Sequence, residues 1–183
     1  MIYSKCKSIA IRSIEKSDLD LVHKWRNSEC LRQYFREYRE LSMTQIENWY
    51  YSMLKDNKFE MFIIVDCDTE DLGIEKFEPI GVAGITDIDW VNRHGDVHLY
   101  IGKDNAWIED KYSKEVADII LNYGFNNLNL NKLWAEVYEI DEEKLNFFQS
   151  LGFKIDASLR EHYYRDGVYY TSHILSLLRR DYA

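Results

Sequence analysis

Asp96 and His98 stand two apart in the stretch GDVHLYIG, where Val97, Leu99 and Ile101 alternate with Asp96, His98 and Tyr100. Alternation at period two marks a strand and puts the carboxylate and the imidazole on one face of it. Either group, acting directly or through a water, can take a proton from a reacting group, so the pair reads as a general base. Asp96 stands first for that role, with Asp87, Asp89 and Glu136 as candidates on neighbouring strands. A second chemical feature follows at once. A turn holding Trp107 leads into a helix whose first residues include Lys111, Tyr112, Ser113 and Lys114. The N-terminus of a helix carries unsatisfied N–H groups and positive dipole, and suits an anion such as a pyrophosphate. Lys111 and Lys114 add charge of the right sign. Other chemistries lack support: Cys6, Cys30 and Cys67 are widely spaced with no CxxC or CxxH pattern, and no Cys/His, Ser/His or metal-ligand spacing is present. No metal is expected.

The elements that must position these groups can be read from periodicity. In the helix after Trp107, Val116, Ile120 and Tyr123 form one stripe, flanked by Ala117, Leu121 and Leu128, which suits it to cover a sheet. KLWAEV then gives a second strand, and a short helix ends in LGF. Upstream, residues 7 to 12 read as a strand, and Ser17 as the N-cap of a helix that carries Leu21, Val22 and Trp25 and stops near Asn27. Ser42 and Gln45 make a capping box ahead of Ile46, Trp49, Tyr50, Met53 and Leu54. Phe59 to Val65 reads as a buried strand, Asp66 to Glu78 as a polar loop, and Ile80 to Trp90 as the hairpin partner. Near the end, Phe153, Ile155, Ala157 and Leu159 alternate along one strand and Val168, Tyr170, Ser172 and Ile174 along another, joined at Asp166-Gly167, a favoured hairpin turn.

Composition sets bounds on this arrangement. A chain of 183 residues with 46% hydrophobic content and a single proline suits one domain over residues 1–183. A net charge of −9 without a basic patch argues against nucleic-acid binding and favours partners that carry an amine. No run suits a membrane span, and the N-terminus alternates Lys with Ile and Ser where a signal peptide needs an apolar core, so no membrane partner and a cytoplasmic location are expected.

The runs NRHGDVHLYIGKDNAW, KEVADIILNYGFNNLNLNKLWAEVYE and DEEKLNFFQSLGF together resemble the acetyl-CoA-binding half of GNAT-type N-acetyltransferases. The likeness points to the branch of ribosomal-protein N-terminal acetyltransferases and amino-sugar acetyltransferases. It implies an α+β fold: a mixed, mainly antiparallel sheet flanked by helices, with a splayed central strand pair. Residues 1–94 form the acceptor side, 95–153 the cofactor side and 153–183 a C-terminal hairpin. It implies acetyl-CoA as co-substrate and direct transfer, in a ternary complex, to a primary amine of a protein N-terminus, an amino-sugar or another small amine. Asp96, where related sequences often carry glutamate, His98 and Glu136 would be catalytic. Leu99, Tyr100, Ile101, Trp107, Lys111, Tyr112, Ser113, Lys114, Asp141 and Phe148 would meet the cofactor. An N–H near Tyr100 or Ile101 would hold the oxyanion formed on attack; Trp25, Arg26, Tyr34, Arg36 and Tyr38 are candidate acceptor contacts, although Trp25 reads better as core and the arginines as paired with acidic residues or solvated.

The chain departs from the family pattern in three places. Glycines that usually follow the tryptophan are replaced by Ile108 to Ser113; the asparagine that opens the last helix matches Asp141; and the tyrosine proposed to protonate the leaving thiolate matches Phe148. Tyr138, Tyr163 and Tyr164 are substitutes for that donor. Two other readings follow from the departures: a GNAT-fold binding or regulatory module without catalysis, and an acyltransferase using another acyl-CoA.

Overall fold

In a computed structural model the structure describes residues 1–69, 75–108 and 110–182, with the backbone alone at 68–69, 75–76 and 110–111. Eight strands form one sheet: β1 (Ile2–Tyr3), β2 (Ile9–Ser13), β3 (Glu60–Thr69), β4 (Glu75–Asp89), β5 (His94–Ile101), β6 (Lys132–Tyr138), β7 (Lys154–Arg165) and β8 (Val168–Leu178). Their order is β1-β2-β3-β4-β5-β6-β8-β7, and every neighbouring pair is antiparallel except β5 with β6. A parallel pair needs a crossover. Here α4 (Asp110–Asn122), extended by a π-helical turn at Tyr123–Asn127, provides it. The α+β class, the mainly antiparallel sheet and the splayed pair expected from the sequence are all found.

Two faces of the sheet have separate work. On β4 and β5 the opposed pairs Val82↔Tyr100, Gly84↔His98 and Thr86↔Asp96 look to one side, and Ala83↔Leu99 and Ile85↔Val97 to the other. α4 covers the second face, where Gly124 lies so close to Ile85 and Leu133 that a Cβ would meet their side chains at 2.8 and 2.9 Å. The first face lies under α1 (Leu19–Asn27) and α3 (Met43–Met53), with the four-residue α2 (Glu29–Arg32) between them. Trp25 of α1 is buried, as its place on the apolar stripe requires, and its ring leaves no room for a side chain at Gly102. α5 (Glu142–Ser150) follows β6 and buries Phe147 and Phe148. Among the described residues no helix is long and apolar enough to cross a membrane.

Local signals fare well where they are specific. Ser42 and Gln45 form the capping box of α3, and Asp166 and Gly167 turn the β7–β8 hairpin with φ of 48° and 84°. Three boundaries move. Ser17 caps nothing: it lies inside a 3-10 turn, Lys16–Asp18, that begins after Glu15. The polar loop shrinks because β3 runs to Thr69 and β4 starts at Glu75; residues 70–74, including Gly73, lie outside the described residues. The first long strand covers Ile9–Ser13 rather than 7 to 12.

The turn before α1 is fixed by charge. Asp18, 4% exposed, accepts hydrogen bonds from both terminal nitrogens of Arg12 at 2.7 Å and from the N–H of Glu15 at 2.8 Å. Burial alone would raise its pKa, but Arg12 and the Glu15 N–H outweigh it, and the carboxyl titrates below its ordinary value. A carboxylate with a lowered folded pKa stabilises the fold above the unfolded pKa and loses that contribution as the pH falls through the folded one. Asp18→Asn is therefore expected to cost about 2 kcal/mol at neutral pH. The difference from wild type should shrink below about pH 4 in urea unfolding series. A difference unchanged across that range would contradict the assignment.

Candidate active site

The parallel pair β5–β6 lasts three residue pairs, His94↔Lys132, Gly95↔Leu133 and Asp96↔Trp134, and then the strands part. Backbone direction on β5 can be followed from its end. Gly102 donates its N–H to Ile80 O on the β4 side, while Ile101 exchanges both bonds with Trp107, donating at 2.7 Å and accepting at 3.0 Å. Alternation then turns the N–H groups of Tyr100 and His98 toward β4 and those of Leu99 and Val97 toward the opening. Of the N–H groups near Tyr100 and Ile101, that of Ile101 is engaged with Trp107, that of Tyr100 points to β4, and that of Leu99 faces the gap.

Trp107 closes the far end of that gap. It lies at φ 56°, and Asp104 and Asn105 before it at 53° and 55°, so the loop takes left-handed turns without glycine. Asp and Asn tolerate this conformation; Trp107 is held in it by the Ile101 bridge and by a hydrogen bond from its Nε1 to Asp141 Oδ2 at 2.9 Å. Tyr34 stacks on its ring at 4.9 Å and Phe35 packs edge-on at 5.2 Å. Asp141 also caps α5, accepting from the Lys144 N–H at 3.2 Å. Burial pushes the Asp141 carboxyl up from its usual range, against Lys144 and these two donors.

A cavity of about 510 Å³ opens against β5 on the face beneath α1 and α3. His98, Glu136, Tyr138 and Lys144 line it, together with Leu99 and Tyr100 from β5. Asp96 stands behind this lining, 1% exposed. Its Oδ2 lies 3.2 Å from His98 Nε2 and 3.2 Å from a terminal nitrogen of Arg36. The same nitrogen donates to Glu136 Oε2 at 2.9 Å, so one guanidinium spans the opening between β5 and β6. Burial works against the Arg36 charge, but Asp96 and Glu136 outweigh it and hold the group protonated. Glu136 also accepts from Ser172 Oγ and lies 3.9 Å from His162 Nε2. The Tyr138 hydroxyl is pushed up to about 12 by burial and by Glu136, although Arg36 opposes both.

The remaining candidates separate cleanly. Asp87 lines the cavity, whereas Asp89 closes the β4–β5 turn by accepting the N–H groups of Val91 and Asn92. Arg26, Tyr34 and Arg36 reach the cavity; Trp25 is core, and Tyr38 lies outside with the Arg165 guanidinium 5.5 Å from its ring. Phe148 is 1% exposed, between Phe147 and Phe153, and does not reach the cavity. Of the substitute donors, Tyr138 lines the cavity and stacks on Tyr163 at 3.8 Å, while Tyr164 is exposed against Tyr169. At the start of α4, Tyr112 donates to Asp66 at 2.9 Å, Ser113 is buried and Lys114 is exposed; the Lys111 side chain lies outside the described residues. The sequence reading passed over Lys144 and Glu37, both at the cavity. The one signal for Lys144 was its spacing, a helical turn before Phe148. Among the described residues no group of three metal-capable side chains is found.

Comparison with known proteins agrees with this geometry. Residues 8–154 match the family described as acetyltransferase (GNAT) domain. The spermidine N(1)-acetyltransferase of Escherichia coli K12 is 23% identical over 175 residues, covering 96% of this chain and 88% of that protein. An uncharacterized N-acetyltransferase of Bacillus licheniformis is 24% identical over 179 residues, covering 96% and 95%. In fold, the chain is similar to a Vibrio cholerae spermidine N-acetyltransferase solved with CoA and spermine: TM-score 0.84, 21% identity, 96% of this chain and 98% of that one. The chain belongs to the GNAT acetyltransferases. It is an acyl-CoA-dependent N-acyltransferase, with acetyl-CoA as its co-substrate. Spermidine is the substrate that the Escherichia coli and Vibrio cholerae relatives are named for, whereas the sequence points to the branch of ribosomal-protein and amino-sugar acetyltransferases.

Arg36→Met is expected to destabilise the fold by about 2 kcal/mol, because it leaves the buried Asp96 without its guanidinium. Asp96→Asn in that background should cost less than in wild type, with a coupling of about 1 kcal/mol in a double-mutant cycle. Additive costs would mean that Arg36 does not hold the two strands' carboxylates.

Proposed function

We propose that the chain moves acetyl from acetyl-CoA to a primary amine of a small, linear di- or polyamine, by direct attack in a ternary complex. The observation that carries this reading is the cavity on the open side of β5, where Asp87, Glu37 held by Arg39, and Glu136 held by Arg36 stand among the aromatic rings of Tyr34 and Trp49. Its volume suits a small molecule, and carboxylates set among apolar and aromatic walls suit a chain of ammonium groups joined by methylenes. The spermidine acetyltransferases among the relatives support the same acceptor class.

The pantetheine arm adds to β5 as a further strand, exchanging hydrogen bonds with Leu99, whose main chain faces the gap. The thioester carbonyl then lies by the Leu99 N–H, a donor for the oxyanion. His98 faces the cavity and takes the proton of the incoming ammonium. Asp96, buried behind it with Oδ2 3.2 Å from Nε2, stabilises the imidazolium by charge; Glu136, steadied by Arg36 and Ser172, attracts the acceptor. Trp107, Tyr112, Ser113, Lys111 and Lys114 lie toward the pyrophosphate end, where the first N–H groups of α4 meet the anion.

An acceptor panel with acetyl-CoA tests the assignment. Spermidine, spermine and linear diamines should be acetylated with kcat/KM at least tenfold above peptide N-termini and amino-sugars; the reverse order would overturn it. In the same assay His98→Gln and Asp96→Asn should lower kcat by about 10² or more while leaving acetyl-CoA affinity unchanged. Unchanged turnover would remove that residue from the mechanism.

A further inference from the structure

Transfer leaves a thiolate behind, and the place where the family pattern puts a tyrosine for it holds Phe148, which has no proton to give and does not reach the cavity. A group one helical turn earlier does reach it. Lys144 and Phe148 are four apart on α5 and share a face. The Lys144 Nζ stands 4.3 Å above the Trp107 ring, beside the opening that Leu99 borders. Other polar hydrogens at the cavity suit the task poorly. Arg26 and Arg36 do not give up protons. Burial raises Tyr34, Tyr100 and Tyr138, Tyr138 to about 12, and makes them weak acids. The Trp107 N–H is spent on Asp141.

We propose that Lys144 is a catalytic residue that meets the leaving sulfur, stabilising the thiolate by charge and protonating it in place of the missing tyrosine. This rests on the acetyltransferase reading and assigns the acid half of that reaction. His98 accepts one proton from the ammonium; the amine nitrogen bonds to the thioester carbon; the adduct collapses and the C–S bond breaks with its electron pair on sulfur. The Lys144 ammonium gives its proton to that sulfur, and the proton shed by the new amide nitrogen recharges it. The products are the acetylated amine, free CoA thiol and protonated His98. The surroundings agree with the assignment. Burial lowers the Lys144 pKa from its ordinary value, Asp141 and Asp96 oppose this, and Arg36 adds to it. A lysine moved down in this way is a stronger acid, and the negative charge of Asp141 and Asp96 favours its protonated form. The Trp107 ring attracts the ammonium by its face, a contact that uses no hydrogen-bond acceptor.

The decisive experiment titrates the thiol of coenzyme A bound to the protein, followed by thiolate ultraviolet absorbance, in wild type, Lys144→Met and Lys144→Arg. Wild type should hold the thiol about tenfold more acidic than free CoA, a shift of one unit. Lys144→Met should lose that shift and lower kcat by about 10 to 10², with the KM for acetyl-CoA unchanged. Lys144→Arg keeps the charge over Trp107, so it should keep the acidic thiol while remaining slow, since guanidinium does not donate. Equal thiol titration in wild type and Lys144→Met would overturn the proposal. So would a full-rate Lys144→Arg variant whose bound thiol titrates like free CoA. Failure of wild type to bind CoA at all would instead overturn the acetyltransferase reading, and this assignment with it.

Discussion

The site depends on two neighbouring strands that stop pairing in the middle of a sheet. β5 and β6 hold together over three residue pairs and then separate, although both are central strands with antiparallel partners on their other sides. Backbone N–H and C=O groups inside a protein must find partners. Those facing the gap are therefore a standing demand for an extended ligand, and on the proposed reading a cofactor arm with amides along its length answers it. Everything else at the site either keeps the gap open or places a charge beside it. α4 fixes the roots of the two strands by covering their far face. Trp107, tied to Ile101 on one side and Asp141 on the other, sets where the opening ends.

Charge across the gap is carried by few groups. Arg36 comes from the segment after α2 and touches a carboxylate on each diverging strand, so it neutralises part of the repulsion between Asp96 and Glu136. Removing one member of such a partly buried set exposes the others to an uncompensated charge. The same arrangement ties chemistry to fold: Asp96 is buried enough to steer His98, and His98 is open enough to meet an acceptor. Lys144 brings a cation to the opposite wall. On the proposed mechanism, proton removal and proton delivery come from different elements, β5 and α5, that meet at one opening.

Much of the fold was legible because its signals are local. Period-two alternation marked β5, β7 and β8, a stripe of Val116, Ile120 and Tyr123 marked α4, and Asp-Gly marked the last hairpin. The capping box at Ser42 was read correctly for the same reason, whereas Ser17 carried the right residue type without the backbone geometry. The candidate site was legible in part. Asp96, His98 and Glu136 were singled out by type and strand face, but nothing local reveals that Arg36 meets carboxylates 60 and 100 positions away. Nor does alternation alone say which of Leu99, Tyr100 and Ile101 keeps a free N–H; that needs the pairing of Gly102 with Ile80 and of Ile101 with Trp107. Lys144 was missed because a lysine in the first turns of a short helix reads as a solvated residue until the opposite wall is known.

The central claim is that the gap beside Leu99 receives the cofactor arm as a strand. Amide hydrogen exchange at Leu99, resolved by NMR with and without coenzyme A, tests it most directly. The account predicts that the Leu99 N–H exchanges readily in the free protein, while those of its neighbours on the β4 side are protected, and that CoA slows Leu99 exchange by at least tenfold. A Leu99 amide already protected without CoA, or one whose exchange does not change on saturation, would contradict it.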